Sequence, residues 1–360
     1  MVKTSLKKFL IINPFGIGDV IFTTPVILTI KEKFPDSSIY YWCNERVEAI
    51  FRHDTNIAMV IPFSRGDIKK LTEDSVLEGM KKYRWLYNTI KSKKIDIALD
   101  YSLDYRYSLI SFFCGIKKRV GFDYRKRGRF LTDKIPIDGY SERHVIEYYL
   151  DLLILIGITT QCRKQYLVVA PYIQERVRQR IEAFGVQEKD LLVAIAPGAG
   201  ASWGKDAKLK HWSPVKYAQL ADRIIQECGA RVVVLGDEHE KDITEMMVKT
   251  MKNNPIDMSE KTSLEELIAL ISNASLLITN DGGPLHIAAA LGIKTVSLFG
   301  PVDERVYGAY PPSPLHRVIK CNLECRPCYN NFRLNPCLRE RECITSISVD
   351  EVFAQVRNQL

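Results

Sequence analysis

"SLLITNDGGPLHIAAALGIKTVSLFG", residues 275–300, reads as strand, turn, helix and strand in succession. The apolar run 275–280 has the length of a buried strand, 284–292 has the composition of a short helix, and 294–300 returns to β-rich residues. Pro284 suits the first helical turn, where a missing N–H costs nothing, and Gly292 suits the stop. A strand joined to the next by a helix belongs to a parallel sheet. Gly282 and Gly283 then occupy a strand-to-helix turn, where absent side chains let a ligand approach the backbone. The N–H groups and partial positive charge of a helix start suit an anion, most often a phosphate. Taken alone, the glycine pair is equally a tight turn with His286 packed against it.

The same rhythm runs along the chain. "FLIIN" (9–13), "SIYYWC" (38–43) and "IDIALD" (95–100) read as strands, "VIFTTPVILTIKEKF" (20–34), "YSLISFFCG" (107–115) and "SERHVIEYYLDLLILIG" (141–157) as helices. After a helix at "PYIQERVRQRIEAF" (171–184) the alternation restarts with "DLLVAIAPG" (190–198) and "RVVVLG" (231–236). Two runs of βα units predict an α/β fold with two doubly wound parallel sheets. The boundaries are set at 1–170 and 171–345, with the helix of 346–360 free to pack back on the first domain. Ligands of such sheets bind outside the carboxyl ends of the strands. There the sequence carries "NPFGIGDV", "PGAGASWGKDAKLKHW", "GDEHE", "NDGGPLH" and "FGPVDERVYG", loops rich in glycine and in reactive side chains.

With 46% hydrophobic and 26% charged residues over 360 positions, the composition is that of an ordinary globular protein. No apolar run reaches the roughly 18 to 20 residues of a membrane-crossing helix, and the amino-terminal apolar stretch is too short for a secretory signal, so a cytoplasmic protein is expected. The net charge of +8 is concentrated in "KKRVGFDYRKRGR" (117–129), read as a basic loop for an anionic substrate or membrane surface, or simply as solvated charge. No nucleic-acid-binding pattern accompanies it. Of nine cysteines, Cys43, Cys114, Cys162 and Cys228 stand alone and read as buried thiols. The others crowd into "CNLECRPCYNNFRLNPCLREREC" (321–343), where Cys325, Cys328, Cys337 and Cys343 could hold a structural metal or remain reduced thiols in a compact loop.

Several of these motifs, in this order, resemble one known family. "GIGDVIFTTP" (16–25), "RVGF" (119–122), "HVIEYYLDLL" (144–153), "PGAG" (197–200) before "KHW" (210–212), "GDEHE" (236–240), "NDGGPLHIAAALG" (280–292) and "CRPCY" (325–329) are similar to the glycosyltransferase family 9 heptosyltransferases of bacterial lipopolysaccharide synthesis. The resemblance implies the GT-B architecture, two Rossmann-like domains facing a cleft. It implies inverting transfer of heptose from ADP-L-glycero-D-manno-heptose to a lipid-linked core sugar, Kdo or heptose. It further implies work at the cytoplasmic face of the inner membrane, with no cofactor beyond the donor and no metal at the reacting centre.

Carried over by residue, the resemblance makes Asp19 the general base and Lys210 the cation for the departing diphosphate. It assigns Gly198, Ser202, Glu240, Asp281, Gly282, Gly283 and His286, with Lys210, to the donor; Gly18 is placed on the acceptor side, and the basic segment 117–129, with Arg119 its best-placed member and Arg125 and Arg127 beside it, is read as binding the anionic acceptor or as solvated charge. The stretch between "PGAG" and "KHW" is long, so Ser202 stands at the small hydroxyl position only by its distance from the glycines. Gly282 stands where some members carry Thr. The residue types agree with the chemistry: inverting transfer needs a carboxylate base for the acceptor hydroxyl, and a diphosphate leaving group needs cations and N–H donors. A nicotinamide-dependent enzyme would want a third glycine after "GIG" (16–18), where Phe22 and its neighbours are bulky. A transferase of another nucleotide sugar, or a sugar-nucleotide-binding protein without activity, are the remaining alternatives.

Overall fold

Every ladder of the two large sheets is parallel, as their helical crossovers demand. In this computed structural model residues 6–64, 75–159 and 162–360 are described, without the side chains at 201, 202 and 205; the expected contact of Ser202 therefore lies outside the described residues. The chain divides into two units, Met1–Tyr140 with Val145–Lys164, and Ser141–His144 with Gln165–Leu360.

The first unit holds β1 (Lys8–Asn13), β2 (Ser38–Cys43), β3 (Ile57–Pro62), β4 (Ile97–Asp100), β5 (Lys118–Tyr124) and β6 (Asp133–Ile137), in the spatial order β3-β2-β1-β4-β5-β6. The second holds β7 (Leu192–Ala196), β8 (Arg231–Val234), β9 (Ile256–Asp257), β10 (Leu276–Asn280), β11 (Lys294–Phe299) and β12 (His316–Lys320), in the order β12-β11-β10-β7-β8-β9. Counted from its own first strand, each sheet has the same doubly wound order. The direction of winding reverses between β1 and β4 in one and between β7 and β10 in the other. Leu10, Ile12, Trp42, Ile61 and Ala98 pack under Leu86 and Ile90 on one face of the first sheet, and Val193, Ile195, Ile278 and Val296 pack with Trp212, Tyr217 and Ile224 in the second.

The expected single helix after "GIGD" is two, Ile17–Ile21 and Thr24–Lys33. Pro25 has no N–H to give the Ile21 carbonyl, and the Thr24 hydroxyl gives its own at 2.8 Å, as Thr23 does to Val20 at 2.7 Å. The basic stretch expected as a loop contains β5, whose Val120, Gly121 and Phe122 are buried. Its connection to β6, residues 125–132, has no helix and runs back alongside the sheet edge.

The last helix, Val349–Gln359, is left free by the sequence to return to the first domain. Its apolar face is instead committed to the second unit, with Val352, Phe353 and Val356 in the core around Trp212 and Tyr217. Lys294 Nζ donates to the Gln359 carbonyl at 2.6 Å, and the Arg223 guanidinium lies 4.0 Å over the Phe353 ring. Phe353→Ala should therefore destabilise the second unit by about 3–5 kcal/mol, the usual cost of deleting a buried phenyl ring. Denaturant unfolding checks this, and a loss under about 1 kcal/mol would deny the helix its place in that core.

Candidate functional site

At the carboxyl end of β10 the chain leaves the sheet through Asn280, Asp281 and Gly282 and enters the helix Gly283–Leu291. Gly282 is extended rather than left-handed, and a Cβ there would lie 3.3 Å from the carbonyl of Ala199, so any larger residue would need the neighbouring loop to give by a few tenths of an ångström. No side chain caps the helix start, and Pro284 stands in its first turn. Asn280, wholly buried, gives its amide hydrogens to the carbonyls of Pro197 and Gly198 at 2.6 and 3.0 Å and accepts from the Trp212 N–H at 3.3 Å. One side chain thus pins the loops after β7 and β10 together at the switch point of the second sheet.

Lys210, expected as the diphosphate cation, meets Asp281 here. Its Nζ lies 2.7 Å from Asp281 Oδ2 and 4.1 Å over the ring of Trp203, and both charged side chains are at most 7% exposed. Trp203 in turn rests on Tyr329 and is packed against Leu285 and Phe299. Burial, with the Lys210 charge added to it, pushes the His286 imidazole down to about 3, so the ring is neutral at physiological pH. Lys210, Asp281, Gly282, Gly283 and His286 are therefore brought together at one strand edge.

Glu240 joins the same edge from β8. It closes a reciprocal cap with Asp237 at the turn Glu238–Glu240, and its Oε1 accepts the Gly200 N–H at 2.8 Å. Burial holds its carboxyl above the usual range, the Gly200 bond opposing. A Cβ at Gly198 would lie 1.8 Å from Glu240 Oε1, so Gly198 is the vacancy in which the carboxylate sits. Gly200, at φ +75°, makes the left-handed step that aims its N–H at Glu240. Gly198→Ala should displace Glu240 and cost about 1–3 kcal/mol of stability through the lost charged hydrogen bonds. In a Glu240→Ala background the same change should cost far less; equal costs in both backgrounds, measured as a double-mutant cycle, would refute the coupling.

In the first unit the switch point carries Asp19 and Asp100. Asn13, the last residue of β1, donates to the Asp19 carbonyl at 2.9 Å and accepts the Phe15 N–H at 3.2 Å, which shapes the turn through Gly16 and Gly18. The Asp19 carboxylate is half-buried in the first turn of Ile17–Ile21. Tyr41, Tyr140 and Tyr149 lie near it: burial foremost, with the Asp19 charge adding to it, raises their phenol groups well above the ordinary value. Asp100, at the end of β4, is 5% exposed, and burial pushes it up to about 7 against the Ser102 hydrogen bonds. The sequence did not single out Asp100, Asn280, Trp203 or the tyrosines; an Asp or Asn closing an otherwise apolar strand, "IALD" or "LLITN", is the signal that could have done so.

Asp100 makes stability depend on pH with a definite sign. A carboxyl near 3.9 in the unfolded chain and about 7 in the fold favours the fold fully below the lower value and loses that contribution as pH rises through the higher one. Asp100→Asn should raise the Tm at pH 8 relative to the native protein and lose that advantage at pH 4. A constant Tm difference across this range would show that Asp100 titrates normally.

Arg119, expected on the acceptor side, spends its guanidinium on backbone: it donates to the carbonyls of Phe130, Ile116 and Lys117 and lies 5.3 Å over Phe112. Arg125 and Arg127 are exposed, lying 5.0 and 5.7 Å over the Tyr124 ring. Cys325, Cys328, Cys337 and Cys343 are free thiols. Among the described residues no three His, Cys, Asp or Glu side chains are brought together as a metal site. Cys328 Sγ donates to the Cys325 carbonyl, Cys337 Sγ accepts the Arg341 N–H, and burial pushes Cys343 up to about 11.

Similarity to known proteins runs the length of both units. The chain is 24% identical over 307 residues to lipopolysaccharide heptosyltransferase 2 of Escherichia coli K12, covering 82% of this chain and 83% of that one. Among solved structures it superposes on a family 9 glycosyltransferase from Veillonella parvula with a TM-score of 0.82 at 20% identity, covering 99% and 98% of the two chains. The E. coli ADP-heptose lipopolysaccharide heptosyltransferase II follows at 0.76 and 20%, covering 98% of each. The model of glycosyltransferase family 9 (heptosyltransferase) matches residues 83–338, most of the chain, and the protein belongs to that family.

Proposed function

We propose that the protein transfers heptose from ADP-L-glycero-D-manno-heptose, with inversion, to a core sugar of lipopolysaccharide, Kdo or a preceding heptose. The observation that carries this is the buried Lys210 ammonium, held by Asp281 and Trp203 beside an uncapped helix start. A site of fixed positive charge and N–H donors is what a departing diphosphate requires. Lys210 and the start of Gly283–Leu291 take the diphosphate charge, and neutral His286 packs beneath them. Glu240, at the end of β8, receives the ribose or the sugar hydroxyls.

Asp19 is the base. As the acceptor oxygen forms its bond to the sugar's anomeric carbon and the bond to the diphosphate breaks, the acceptor's proton passes to the carboxylate and ADP leaves with the bonding electrons. Arg125 and Arg127 attract the anionic, lipid-linked acceptor from the cytoplasmic face of the inner membrane, where the protein works as a peripheral enzyme. Among the described residues no helix is long and apolar enough to cross a membrane. In this reading Lys210 and the N–H groups of the helix start carry the diphosphate charge without a divalent cation, so chelation by EDTA should leave turnover unchanged.

Two substitutions test the division of labour. Asp19→Asn retains shape and capping ability and should bind ADP-heptose normally while losing about 10²- to 10⁴-fold in turnover, the usual worth of a general base. Lys210→Ala should weaken ADP binding or transfer by about 1.5–3 kcal/mol. Isothermal titration with ADP-heptose and a coupled ADP-release assay separate the outcomes. Native turnover of Asp19→Asn would remove Asp19 from the chemistry, and binding without turnover in the native protein would leave a nucleotide-sugar-binding protein.

A further inference from the structure

The geometry points to a membrane-docking surface on the first unit, formed by the exposed Phe112–Phe113 pair and the arginines around it, whose partner is an anionic phospholipid bilayer. It rests on the reading of a lipid-linked acceptor for its purpose and shares Arg125 and Arg127 with it, though its structural basis is independent of the donor site.

Phe112 and Phe113 end the helix Tyr105–Phe113 and are 49% and 62% exposed, although this helix buries Tyr107, Ser108 and Ser111 on its inner face. The two rings lie 5.6 Å apart. Phe112 continues at 6.2 Å to Phe130, and Phe130 at 6.3 Å to Tyr105, so four aromatic rings form one strip along the helix and the β5–β6 connection. Cations lie on its faces: Arg119 is 5.3 Å over Phe112, and Arg129 is 4.2 Å over Tyr105 and 5.5 Å over Phe130. Lys117, Arg125, Lys126 and Arg127 stand exposed along the same segment. The nearby acids are already engaged, Asp123 with Lys134, Asp133 with Lys118 and Asp104 with Arg106, so they do not cancel these charges.

A purely solvated basic segment has no use for two exposed phenyl rings, and an apolar protein partner has no use for six or more cations around them. Aromatic rings at headgroup depth, with arginines spreading their charge toward phosphates, fit the boundary between an anionic leaflet and water. Each Lys or Arg near such a surface is worth about a fivefold gain in partition at ordinary ionic strength. Bulk anionic sugar would be held by the cations alone and would not need Phe113.

The test is cosedimentation of the full-length protein with vesicles of phosphatidylcholine containing 30% phosphatidylglycerol, against pure phosphatidylcholine. The native protein should partition onto the anionic vesicles only, less at high salt. Phe112→Ser with Phe113→Ser should lower the partition by about tenfold or more, as should Arg125→Glu with Lys126→Glu and Arg127→Glu. Phe184→Ser, which removes an equally exposed ring of the second unit, should not. Thermal shift by ADP should be the same in all of them, which certifies folding and reads the donor site separately. Partition that ignores phosphatidylglycerol, or that survives loss of both phenyl rings, overturns the proposal. So does a phenyl-dependent dimer seen by sedimentation velocity without vesicles, which would make the strip a contact between copies. Failure to bind ADP with vesicle partition intact would strike the transferase reading and leave the docking surface standing.

Discussion

A parallel strand cannot turn back on itself, and that constraint organises this protein. Each strand of the two large sheets must be left at its carboxyl end, so the loops with freedom to vary collect along one edge of each sheet. The crossovers can cover both faces only if the winding reverses once, and at that point two loops diverge and leave a crevice. Asn13, Asp19 and Asp100 occupy it in the first unit, and Gly198, Lys210, Asp281 and Gly282 in the second. The chemistry-bearing residues lie far apart in sequence because the topology, not local sequence, is what brings them to one edge.

Within the second unit the buried Lys210–Asp281 pair is costly to desolvate and contributes little net stability relative to an apolar substitute. Its worth is positional. Asp281 and the Trp203 ring fix the ammonium on two sides, at 2.7 and 4.1 Å, while burial, with the Lys210 charge adding to it, keeps the neighbouring His286 neutral. Removing Asp281 alone would strand a buried cation, a change of about 3–5 kcal/mol, so the pair stands or falls together.

Much of this was legible in the sequence, and the rest was hidden for identifiable reasons. Strands buried on both faces announce themselves as apolar runs, so "FLIIN", "LLITN" and "KTVSLF" sit where the pattern puts them. β5 was obscured because Lys118, Arg119 and Asp123 break up an apolar pattern whose buried members are Val120, Gly121, Phe122 and Tyr124. The break at Pro25 depended on two threonine hydroxyls replacing a missing N–H, which hydrophobic periodicity does not register. Glycine, Lys210 and Asp281 were readable from motif and order. Asp100 and Asn280 were not, since a single polar residue at a strand end carries its meaning only when the neighbouring loop is known. Basic composition alone did not reveal that Arg119 gives its Nε and Nη1 hydrogens to the carbonyls of Phe130, Ile116 and Lys117.

The polar residues at the strand ends divide into those that build the edge and those that the built edge presents. Asn280 ties the Pro197–Gly198 carbonyls to the Trp212 N–H, and Glu240 occupies the space that Gly198 leaves and accepts from Gly200. These bonds join the loops after β7, β8 and β10 into one frame before any ligand arrives. Beside that frame lie the buried Lys210–Asp281 pair and the uncapped start of Gly283–Leu291. Preorganisation of this kind requires that the supporting groups be buried, and Asn280 and Asp281 are, at 0% and 5% exposure. Under the proposed transfer, binding energy from the diphosphate goes into the reaction rather than into assembling the loops that would hold it.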